Sequence, residues 1–380
     1  MVNVNNPTCL YIHIPFCVRK CPYCGFFSVS DCQELVPEYL RALKTELAAS
    51  PREQPMQTIY VGGGTPTSLS AENLRLLLEI INGLVRRAPG CEFTIEANPG
   101  TVDAEKAAVL RGGGVNRISL GAQSFQPRIL KKLGRIHSAD EIRRSVELFR
   151  QAGFANIGLD LIFAIPGQIF ADWCDSLDAA VELGVQHIST YGLSFDEGTQ
   201  FDQRLRSGRM RIYPERGYLR MYDQARQRLR EAGFTQYEIS NFAKPGLESR
   251  HNVNYWLNRS YLGIGASATG FVGGVRRTNV AVIDEYIARV KSRGSAATFS
   301  EQLAPEDFAR ETAAFNIRYL PGIERQSFIE RTGWDLEKLF GRLIDQYSPE
   351  FVVYDHRTLR LTEQALPCAD SISAEFLRKE

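Results

Sequence analysis

Residues 11–27 read Tyr-Ile-His-Ile-Pro-Phe-Cys-Val-Arg-Lys-Cys-Pro-Tyr-Cys-Gly-Phe-Phe, and they overlap an apolar run, Leu10–Ile14, typical of a buried β-strand. The stretch contains three cysteines, Cys17, Cys21 and Cys24, separated by three and two residues. This spacing supplies three thiolates where a cubane iron–sulfur cluster has four irons to ligate. One iron is thereby left open, and an open iron can bind and activate a small molecule.

The cysteine triplet alone permits a second interpretation. A structural zinc site of the Cys3His type would use the three cysteines with His13 as the fourth ligand. His13 lies within the predicted strand, where alternation with Tyr11 leaves the direction of its side chain open. The triplet by itself therefore does not decide between a cluster and zinc, and the other loops of the chain have to decide.

The composition limits the class of protein. A chain of 380 residues can form one large α/β domain and a smaller unit, and 45 Lys and Arg residues nearly balance 44 Asp and Glu residues. No apolar run reaches the roughly 18 residues of a membrane span, and no signal-peptide pattern opens the chain. Five of the eight cysteines are scattered, unlike a secreted disulfide framework. We therefore predict a cytoplasmic protein with no integral membrane segment and no nucleic-acid partner.

The first half of the chain alternates strand and helix signals. Strands are predicted at Leu10–Ile14, Thr58–Val61, Glu92–Glu96, Arg117–Leu120, Ile157–Ile162 and His187–Gly192. Helices are predicted at Val36–Leu47, Ala71–Val85, Ala104–Arg111, Ala139–Gln151 and Trp173–Leu183. The alternation favours a parallel sheet with crossover helices, either an open doubly wound sheet or a full or partial barrel.

Unusual loops follow the predicted strands. After the cysteine loop come Gly62-Gly-Gly-Thr-Pro-Thr, Glu96-Ala-Asn-Pro-Gly and Gly121-Ala-Gln-Ser-Phe, and the fifth strand contains Asp160. The carboxyl ends of parallel strands meet at one edge, so these loops should lie together and carry the chemistry. The glycine run lets backbone approach a ligand closely.

The second half has a different pattern. A helix at Glu215–Ala232 and a strand-like Gln236–Ile239 lead into an irregular stretch that contains His251-Asn-Val-Asn-Tyr-Trp256. Helices and a closing hairpin follow at Asp284–Arg293, Pro305–Ile317, Leu336–Asp345, Phe351–Val353 and Leu359–Leu361. Helices before a two-stranded ribbon resemble a small winged-helix-like module. We predict three parts: a barrel at 1–213, an intermediate region at 214–280 and a C-terminal domain at 281–380.

The ordered motifs resemble the radical S-adenosylmethionine (SAM) superfamily and, within it, the branch similar to coproporphyrinogen oxidases. They are Tyr11-x-His-x-Pro-Phe-Cys-x3-Cys-Pro-Tyr-Cys, Gly62-Gly-Gly-Thr-Pro-Thr, Glu96-x-Asn-Pro-Gly, Gly114-Val-Asn-Arg-Ile-Ser-Leu-Gly-Ala-Gln-Ser-Phe, Leu133-Gly-Arg-Ile-His, Leu159-Asp-Leu-Ile and Pro166-Gly-Gln. The resemblance covers essentially the whole chain. It implies an α/β fold, a partial (β/α)6 TIM-like barrel, with a small C-terminal α+β, winged-helix-like domain similar to that of HemN. A zinc site requires none of these loops, so the resemblance favours the cluster.

The resemblance also implies the cofactors, a 4Fe–4S cluster and SAM, and the residues that hold them. Three irons would be ligated by Cys17, Cys21 and Cys24. The predicted cofactor contacts are Tyr11 and Tyr23 beside the cluster, the backbone of Gly63, Gly64 and Thr65 at the methionine end, and the side chains of Glu96, Gln123, Arg135 and Asp160 at the adenosyl and methionyl groups. Without a cluster, each polar residue taken alone would be read as a cap or a loop-fixing residue.

Two subfamilies compete within this branch. Oxygen-independent coproporphyrinogen III dehydrogenases usually carry a fourth cysteine, as Cys-x3-Cys-x2-Cys-x-Cys, and a long N-terminal arm. Here Phe26 occupies the fourth position and only sixteen residues precede Cys17. HemW-type heme chaperones have Phe at that position, a short N-terminus and the motif His-Asn-x-x-Tyr-Trp, which this chain has at residues 251–256. On these points the chain resembles the chaperones.

One departure concerns the heme ligand. Many chaperones of this type continue with Gly-x-Gly-x-Gly-Ala-His, whereas this chain reads Gly263-Ile-Gly-Ala-Ser-Ala-Thr269 and lacks the histidine. His251 is then the candidate ligand, because neutral imidazole can bind heme iron, with Tyr255 and Trp256 as flat apolar surface. The alternative is a structural hydrogen-bonded pair of His251 and Asn252 that supports the loop.

The resemblance thus implies a protein that binds heme and passes it to heme-accepting proteins, with SAM cleavage as a regulatory step driven by an electron donor such as a flavodoxin or ferredoxin. The alternative is an oxidoreductase, a coproporphyrinogen III dehydrogenase or another radical SAM enzyme that acts on a tetrapyrrole. A third class, a purely structural zinc or iron–sulfur protein, has little support from the loops.

Overall fold

The computed structural model describes residues 6–379, and its centre is a nine-stranded sheet. The strands are β1 (Cys9–Ile14), β2 (Met56–Gly63), β3 (Arg87–Ala97), β4 (Arg117–Gln123), β5 (Ile157–Phe163), β6 (His187–Gly192), β7 (Thr235–Gln236), β8 (Asn241–Ala243) and β9 (Leu262–Ile264). Their order in the sheet is β9-β1-β2-β3-β4-β5-β6-β8-β7. Strands β1 to β6 and β9 are parallel, whereas β8 is antiparallel to both of its neighbours.

Fourteen α-helices lie in the described part of the chain. They are α1 (Val36–Ala49), α2 (Ala71–Leu84), α3 (Ala104–Gly112), α4 (Pro127–Lys132), α5 (Ala139–Gln151), α6 (Phe170–Glu182), α7 (Gln200–Arg206), α8 (Glu215–Glu231), α9 (Arg250–Trp256), α10 (Ile283–Arg293), α11 (Pro305–Asn316), α12 (Arg325–Thr332), α13 (Leu336–Tyr347) and α14 (Ala369–Glu375). The start of helix α5 is determined locally by a capping box, which Ser138 and Glu141 form.

The two faces of the parallel sheet differ in chemistry. On β1, Leu10, Ile12 and Ile14 are buried in the same apolar core as residues of the covering helices. The intervening residues, Tyr11 and His13, point to the other face. The same alternation places polar side chains on the inner face of the following strands. The helices therefore pack on an apolar outer face, and the interior of the curved sheet is polar.

The segment after α8 completes the sheet. It contributes β7 and β8 at one edge and β9 at the other, next to β1. Strand β9 packs closely against the hairpin that follows it because Gly263 has no side chain: a Cβ there would lie 2.1 Å from the carbonyl oxygen of Thr269. The irregular stretch around residue 251 contains α9. This helix has only seven residues, which is too short to show helical periodicity in the sequence.

The C-terminal part has a second apolar core, formed between Ala309 and Phe376. Its elements follow the order helix, strand, helix, helix, strand, strand, helix, with a small sheet of Ile323–Glu324, Thr358–Leu361 and Val352–Tyr354. A further three-stranded sheet has Thr269–Val272, Val275–Asn279 and Ala297–Gln302, and a two-stranded one has Phe16–Cys17 and Val29–Ser30. The boundaries at 213 and 280 stay predictions, although strands from both sides of residue 213 share the main sheet.

The predicted fold class, a parallel α/β sheet with crossover helices, is confirmed. Each of the six predicted strands coincides with a strand of the structure, and the start of β4 and both ends of β6 agree to the residue. Strand β3 starts earlier than predicted, at Arg87 instead of Glu92. Among residues 6–379, no helix has the length and hydropathy needed to cross a membrane.

Candidate cluster and cofactor site

The cysteine loop leaves the carboxyl end of β1 and is closed at its base. Phe16–Cys17 pairs with Val29–Ser30, so the residues between them form a loop with fixed ends. Cys17 is buried, Cys21 and Cys24 are half-buried, and the N–H of Cys24 donates to the carbonyl of Cys21 at 3.1 Å. All three are free thiols. The loop therefore presents three sulfurs on a compact turn.

A chain of polar contacts connects the first cysteine with the second through two other loops. Thr65 Oγ1 lies 3.5 Å from Cys17 Sγ, and Asn98 Nδ2 donates to Thr65 Oγ1 at 2.7 Å. Arg135 Nη2 donates to Asn98 Oδ1 at 2.5 Å, and Arg135 Nη1 lies 3.6 Å from Cys21 Sγ. The cysteine loop is thus held by the loops that follow β2 and β3, which were predicted to share its edge, and by the loop after α4.

These residues fit a thiolate-ligated cluster. Burial raises the pKa of Cys17 and of Cys24, so the free thiols are protonated and have to lose their protons on ligation. A guanidinium beside Cys21 stabilises negative sulfur, since a nearby cation favours the thiolate. The three thiols and Arg135 together supply what a cluster with one open iron needs.

His13, the fourth ligand in the zinc alternative, is engaged away from the cysteines. Within residues 6–379, no three Cys, His, Asp or Glu side chains converge as the ligands of a single metal ion would. The thiolates of a cluster instead bind different irons, so their sulfurs stand farther apart. Both ring nitrogens of His13 are engaged, Nδ1 with Tyr11 Oη and Nε2 with the carbonyl of Phe27, each at 2.9 Å. His13 is therefore not directed at the cysteines.

The glycine run after β2 is needed for close packing. A Cβ at Gly62 would lie 2.7 Å from the carboxyl carbon of Glu96, and one at Gly63 would lie 2.4 Å from the ring of His13. Gly63 also has φ +110°, a conformation that side chains other than glycine rarely adopt. At Gly64, a Cβ would lie 2.8 Å from the carbonyl oxygen of Phe16.

The backbone donors of this loop are already used. The N–H of Gly64 donates to Ile14 and that of Thr65 donates to Phe16, at 2.9 and 2.8 Å. The N–H of Gly63 donates to Glu96 Oε2 at 3.0 Å. Carbonyl oxygens are consequently the backbone groups that the loop can offer, and they would accept from an amino group rather than bind a carboxylate.

Glu96 is placed between the glycine loop and the interior of the sheet. Its carboxylate accepts from Tyr60 Oη at 2.8 Å as well as from Gly63. Desolvation, together with the charge of Asp160, raises the pKa of Glu96 to about 7. The carboxyl group is therefore partly protonated at neutral pH and can both accept and donate a hydrogen bond.

Three other predicted contact residues surround the mouth of the sheet. Gln123 ends β4 with φ +63°, and its amide nitrogen lies 2.8 Å from the position of a Cβ at Gly121. Asp160 accepts from Ser119 Oγ at 3.0 Å, and burial raises its pKa. Burial also raises the pKa of Tyr23, which lies among the cysteines and Arg135. These residues stay predicted cofactor contacts.

Tyr11 lies one layer below the cysteine loop. Its hydroxyl contacts His13, and its ring stacks on that of Tyr60 with centroids 6.2 Å apart. Tyr60 stacks in turn on His251, at 5.2 Å. The interior of the sheet therefore contains an aromatic column that joins the predicted cofactor contact Tyr11 to the predicted heme ligand.

His251 is buried at the start of α9 with all its polar atoms engaged. Nδ1 lies 2.7 Å from Thr58 Oγ1, Nε2 lies 3.0 Å from Tyr255 Oη, and the backbone N–H donates to Glu92 Oε1 at 3.1 Å. Burial, together with the charge of Arg117, lowers the pKa of His251 to about 3. The side-chain partners of His251 are Thr58 and Tyr255, and not Asn252 as in the predicted structural pair. His251 stays a predicted heme ligand.

Comparison with known proteins agrees with this geometry. A model of the Radical SAM superfamily matches residues 11–180. The chain is 36% identical over 372 residues to the heme chaperone HemW of Bacillus subtilis, covering 97% of this chain and 98% of that protein. The chain belongs to the HemW family. A second relative, HemW of Lactococcus lactis, is 35% identical over 98% of both chains.

The HemW-family fold is shared with a solved structure. Coproporphyrinogen III oxidase (HemN) from Escherichia coli, described as a radical SAM enzyme, superposes with a TM-score of 0.85 over 98% of this chain and 90% of that one, at 20% identity. This likeness establishes the barrel and the attached C-terminal part. Membership of the radical SAM superfamily implies a 4Fe–4S cluster and SAM, and Cys17, Cys21 and Cys24 stay the predicted cluster ligands.

Two residues of this HemW-family site were not predicted from the sequence. Asn98 bridges Thr65 and Arg135, and Tyr60 holds Glu96. Asn98 belongs to the motif Glu96-x-Asn-Pro-Gly, so the sequence marked this residue but did not indicate that it would bridge Thr65 and Arg135. Tyr60 gave no signal, because an aromatic residue within a strand is ordinarily a core residue.

Proposed function

We propose that this protein is a cytoplasmic heme chaperone, which binds heme and transfers it to heme-accepting proteins. The observation that carries the proposal is the similarity to HemW of Bacillus subtilis, which extends over 97% of this chain. Phe26 in place of a fourth cysteine supports it, and so does the motif at residues 251–256. All eight cysteines are free thiols in the described residues, as suits a reducing compartment.

The cluster and SAM belong to this proposal as regulators of heme handling. When bound, they supply reductive cleavage of SAM, with the electron coming from a donor such as a flavodoxin or ferredoxin. Cys17, Cys21 and Cys24 would hold three irons, and Arg135 would orient the loop through Cys21 and Asn98. The carbonyl oxygens at Gly63 and Gly64 and the carboxyl group of Glu96 would bind the methionyl end of SAM.

His251 is the proposed heme ligand, and its surroundings define what binding requires. The imidazole is neutral at physiological pH, since its pKa is about 3, and a neutral imidazole is the form that binds iron. However, Nε2 is occupied by the hydroxyl of Tyr255, so ligation through Nε2 requires that this contact open. The structural interpretation, in which His251 fixes α9 to β2 through Thr58, is the alternative.

A heme titration distinguishes the two roles of His251. Tyr255→Phe removes the competing hydroxyl and keeps the imidazole, so heme affinity should rise severalfold, whereas His251→Ala should shift the Soret band and weaken binding. The protein purified without oxygen, with its cluster, is the sample. If neither substitution alters the Soret band or the affinity, His251 is structural. If the wild-type protein binds no heme at all, the chaperone proposal itself fails.

The alternative function is oxidative decarboxylation of coproporphyrinogen III, and the fold likeness to HemN favours it. Anaerobic incubation with coproporphyrinogen III, SAM and a reductant tests it directly. We expect no protoporphyrinogen at a catalytic rate, because this chain has Phe26 where the dehydrogenases usually have a cysteine. Catalytic turnover would overturn the chaperone proposal in favour of the enzyme.

A further inference from the structure

Arg117 is a buried cation whose Nε has no hydrogen-bond partner in the described part of the chain. It begins β4 within the motif Gly114-Val-Asn-Arg-Ile-Ser, and it is among the largest fully buried side chains of the protein. Within residues 6–379, Nε of its guanidinium is enclosed without a hydrogen-bond partner, and no ion pair of the side chain is found. Buried charges in proteins are ordinarily paired and hydrogen-bonded, so Arg117 requires an explanation.

The side chain lies on the polar inner face of the sheet. Thr94 is its register partner on β3, and Thr94 in turn pairs with Tyr60, which lies opposite Tyr11. These four residues therefore form one layer across β1 to β4. Tyr60 and Tyr11 keep some accessible surface although they face inward, whereas Thr94 and Arg117 are enclosed.

Two other enclosed polar atoms near Arg117 also lack partners. Oγ1 of Thr94, directly beside Arg117, has none, and neither does Nδ1 of His187. Burial lowers the pKa of His187, and the positive charge of Arg117 lowers it further. Nε2 of His187 lies 2.9 Å from Tyr237 Oη. When Tyr237 donates to Nε2, the imidazole proton sits on Nδ1, which then becomes a donor.

The carboxyl groups of the inner face do not neutralise Arg117. Glu96 is held by Tyr60 and Gly63, and its pKa of about 7 leaves it only partly ionised. Asp160 is held by Ser119, and burial raises its pKa too. Arg117 is close enough to influence Asp160, but it forms no ion pair with it.

Two further buried carboxylates are also engaged elsewhere. Glu92 accepts the backbone N–H groups of Arg250 and His251 at the start of α9. Glu238 accepts the backbone N–H of Ser240 at 2.9 Å through Oε1, and the cation that acts on it is Arg318, although its enclosed Oε2 has no hydrogen-bond partner. Within residues 6–379, the positive charge of Arg117 therefore stands at the inner face without an ion pair, and its Nε is an unused donor.

We propose that Arg117, with Thr94 Oγ1 and His187 Nδ1, forms a binding subsite for a carboxylate inside the barrel. A guanidinium binds a carboxylate through two parallel N–H groups, and the hydroxyl and the imidazole add further donors. The carboxylate belongs either to a free small acid or to a propionate of a bound tetrapyrrole. The proposed subsite is inferred from the unpartnered polar atoms of Arg117, Thr94 and His187, and it does not depend on the chaperone proposal.

Formate is the probe for the free acid. Formate should raise the unfolding midpoint of the cluster-containing protein in a saturable way at constant ionic strength, with gluconate as the bulky replacement anion. Arg117→Gln should abolish this shift, and Thr94→Val should reduce it. Arg144→Gln removes an equal charge from an exposed position and should keep the full shift.

Heme and its dimethyl ester test the propionate. If a propionate occupies the subsite, wild-type protein binds heme at least tenfold more tightly than the ester, and Arg117→Gln removes this preference while ester binding stays unchanged. Carbon-13 NMR of labelled formate with the wild-type protein covers the case in which Arg117→Gln fails to fold. The proposal is overturned when formate gives neither line broadening nor stabilisation and the wild-type protein shows no preference for heme over the ester. A protein that binds no heme but does bind formate refutes the chaperone proposal and leaves the subsite standing.

Discussion

Arg135 reaches Cys21 across 114 positions of the chain, with Nη1 3.6 Å from the sulfur. The same guanidinium donates to the carbonyl of Gly121 at 2.8 Å, so it connects the cysteine loop with β4. A cation held this firmly beside one thiol of the triplet fixes the loop before any metal is bound and favours the thiolate afterwards.

Asn98 transmits this order to the other end of the cysteine loop, and Asn98→Ala should therefore weaken cluster retention. Loss of a residue that hydrogen-bonds to a metal ligand typically lowers the affinity for the metal by about 10–100-fold. We expect iron release to a chelator, measured without oxygen, to accelerate about tenfold. Asn98→Asp keeps the contact with Arg135, so its rate of iron release should lie between those of the wild-type protein and Asn98→Ala. Equal release rates in wild type and Asn98→Ala would refute the role of this bridge.

Gly63→Ala should disrupt the glycine loop. The new methyl group would lie 2.4 Å from the ring of His13, and φ of +110° disfavours any side chain. We expect a loss of at least about 3 kcal/mol in the free energy of unfolding, together with loss of iron. Gly90→Ala is the control: φ is +69° and nothing lies within 4 Å of the new methyl, so the cost should be about 1 kcal/mol. Equal costs would show that the contact with His13 is not decisive.

The pKa of Glu96 predicts a pH dependence of stability. The folded pKa, about 7, lies above the ordinary value of 4.5, so the folded state binds the extra proton between these values. The contribution of Glu96 is thus fully present below about pH 4.5 and is lost as the pH rises through 7. Glu96→Gln should therefore gain roughly 1–3 kcal/mol relative to wild type between pH 5 and pH 8, measured by denaturant unfolding of SAM-free protein. Parallel pH profiles for the two proteins would contradict the raised pKa.

His251→Ala should destabilise the fold whatever the role of His251 in heme binding. The substitution leaves a cavity between Tyr60 and Tyr255 and removes the partners of Thr58 and Tyr255. The expected cost is about 3 kcal/mol in the free energy of unfolding. His356→Ala, at a histidine whose side chain is 84% exposed, should cost less than about 1 kcal/mol. A cost as small at His251 would mean that α9 is not anchored through this residue.

The sequence predicts helices and strands well where the element is long enough to show several repeats of its hydrophobic pattern. Helix α5 was predicted to the residue because its capping box and buried stripe both indicate the same bounds. Helix α9 and strand β9 were missed, since seven and three residues carry too little periodic signal. Their positions depend on tertiary contacts, such as Gly263 against Thr269, that only the folded chain reveals.

The site was predicted as far as the motifs carried it. Loops that follow parallel strands had to meet at one edge, as those with Cys21 and Asn98 do, and Arg135 joins them from the loop after α4. The surroundings of His251 were not foreseeable, because the motif did not indicate that β2 would supply Thr58 as its partner. A contact between residues 193 positions apart follows from sheet topology, which local sequence does not encode.

The pairing of β9 with β1 has a consequence for synthesis of the protein. The ribosome releases residues 9–14 long before residues 262–264, so β1 spends most of translation with β2 as its sheet neighbour and its other edge bare. An unpaired strand edge is a template for wrong association with another chain. Nascent chains and truncated products that stop short of Leu262 therefore expose backbone donors and acceptors on the strand that leads into the cysteine loop.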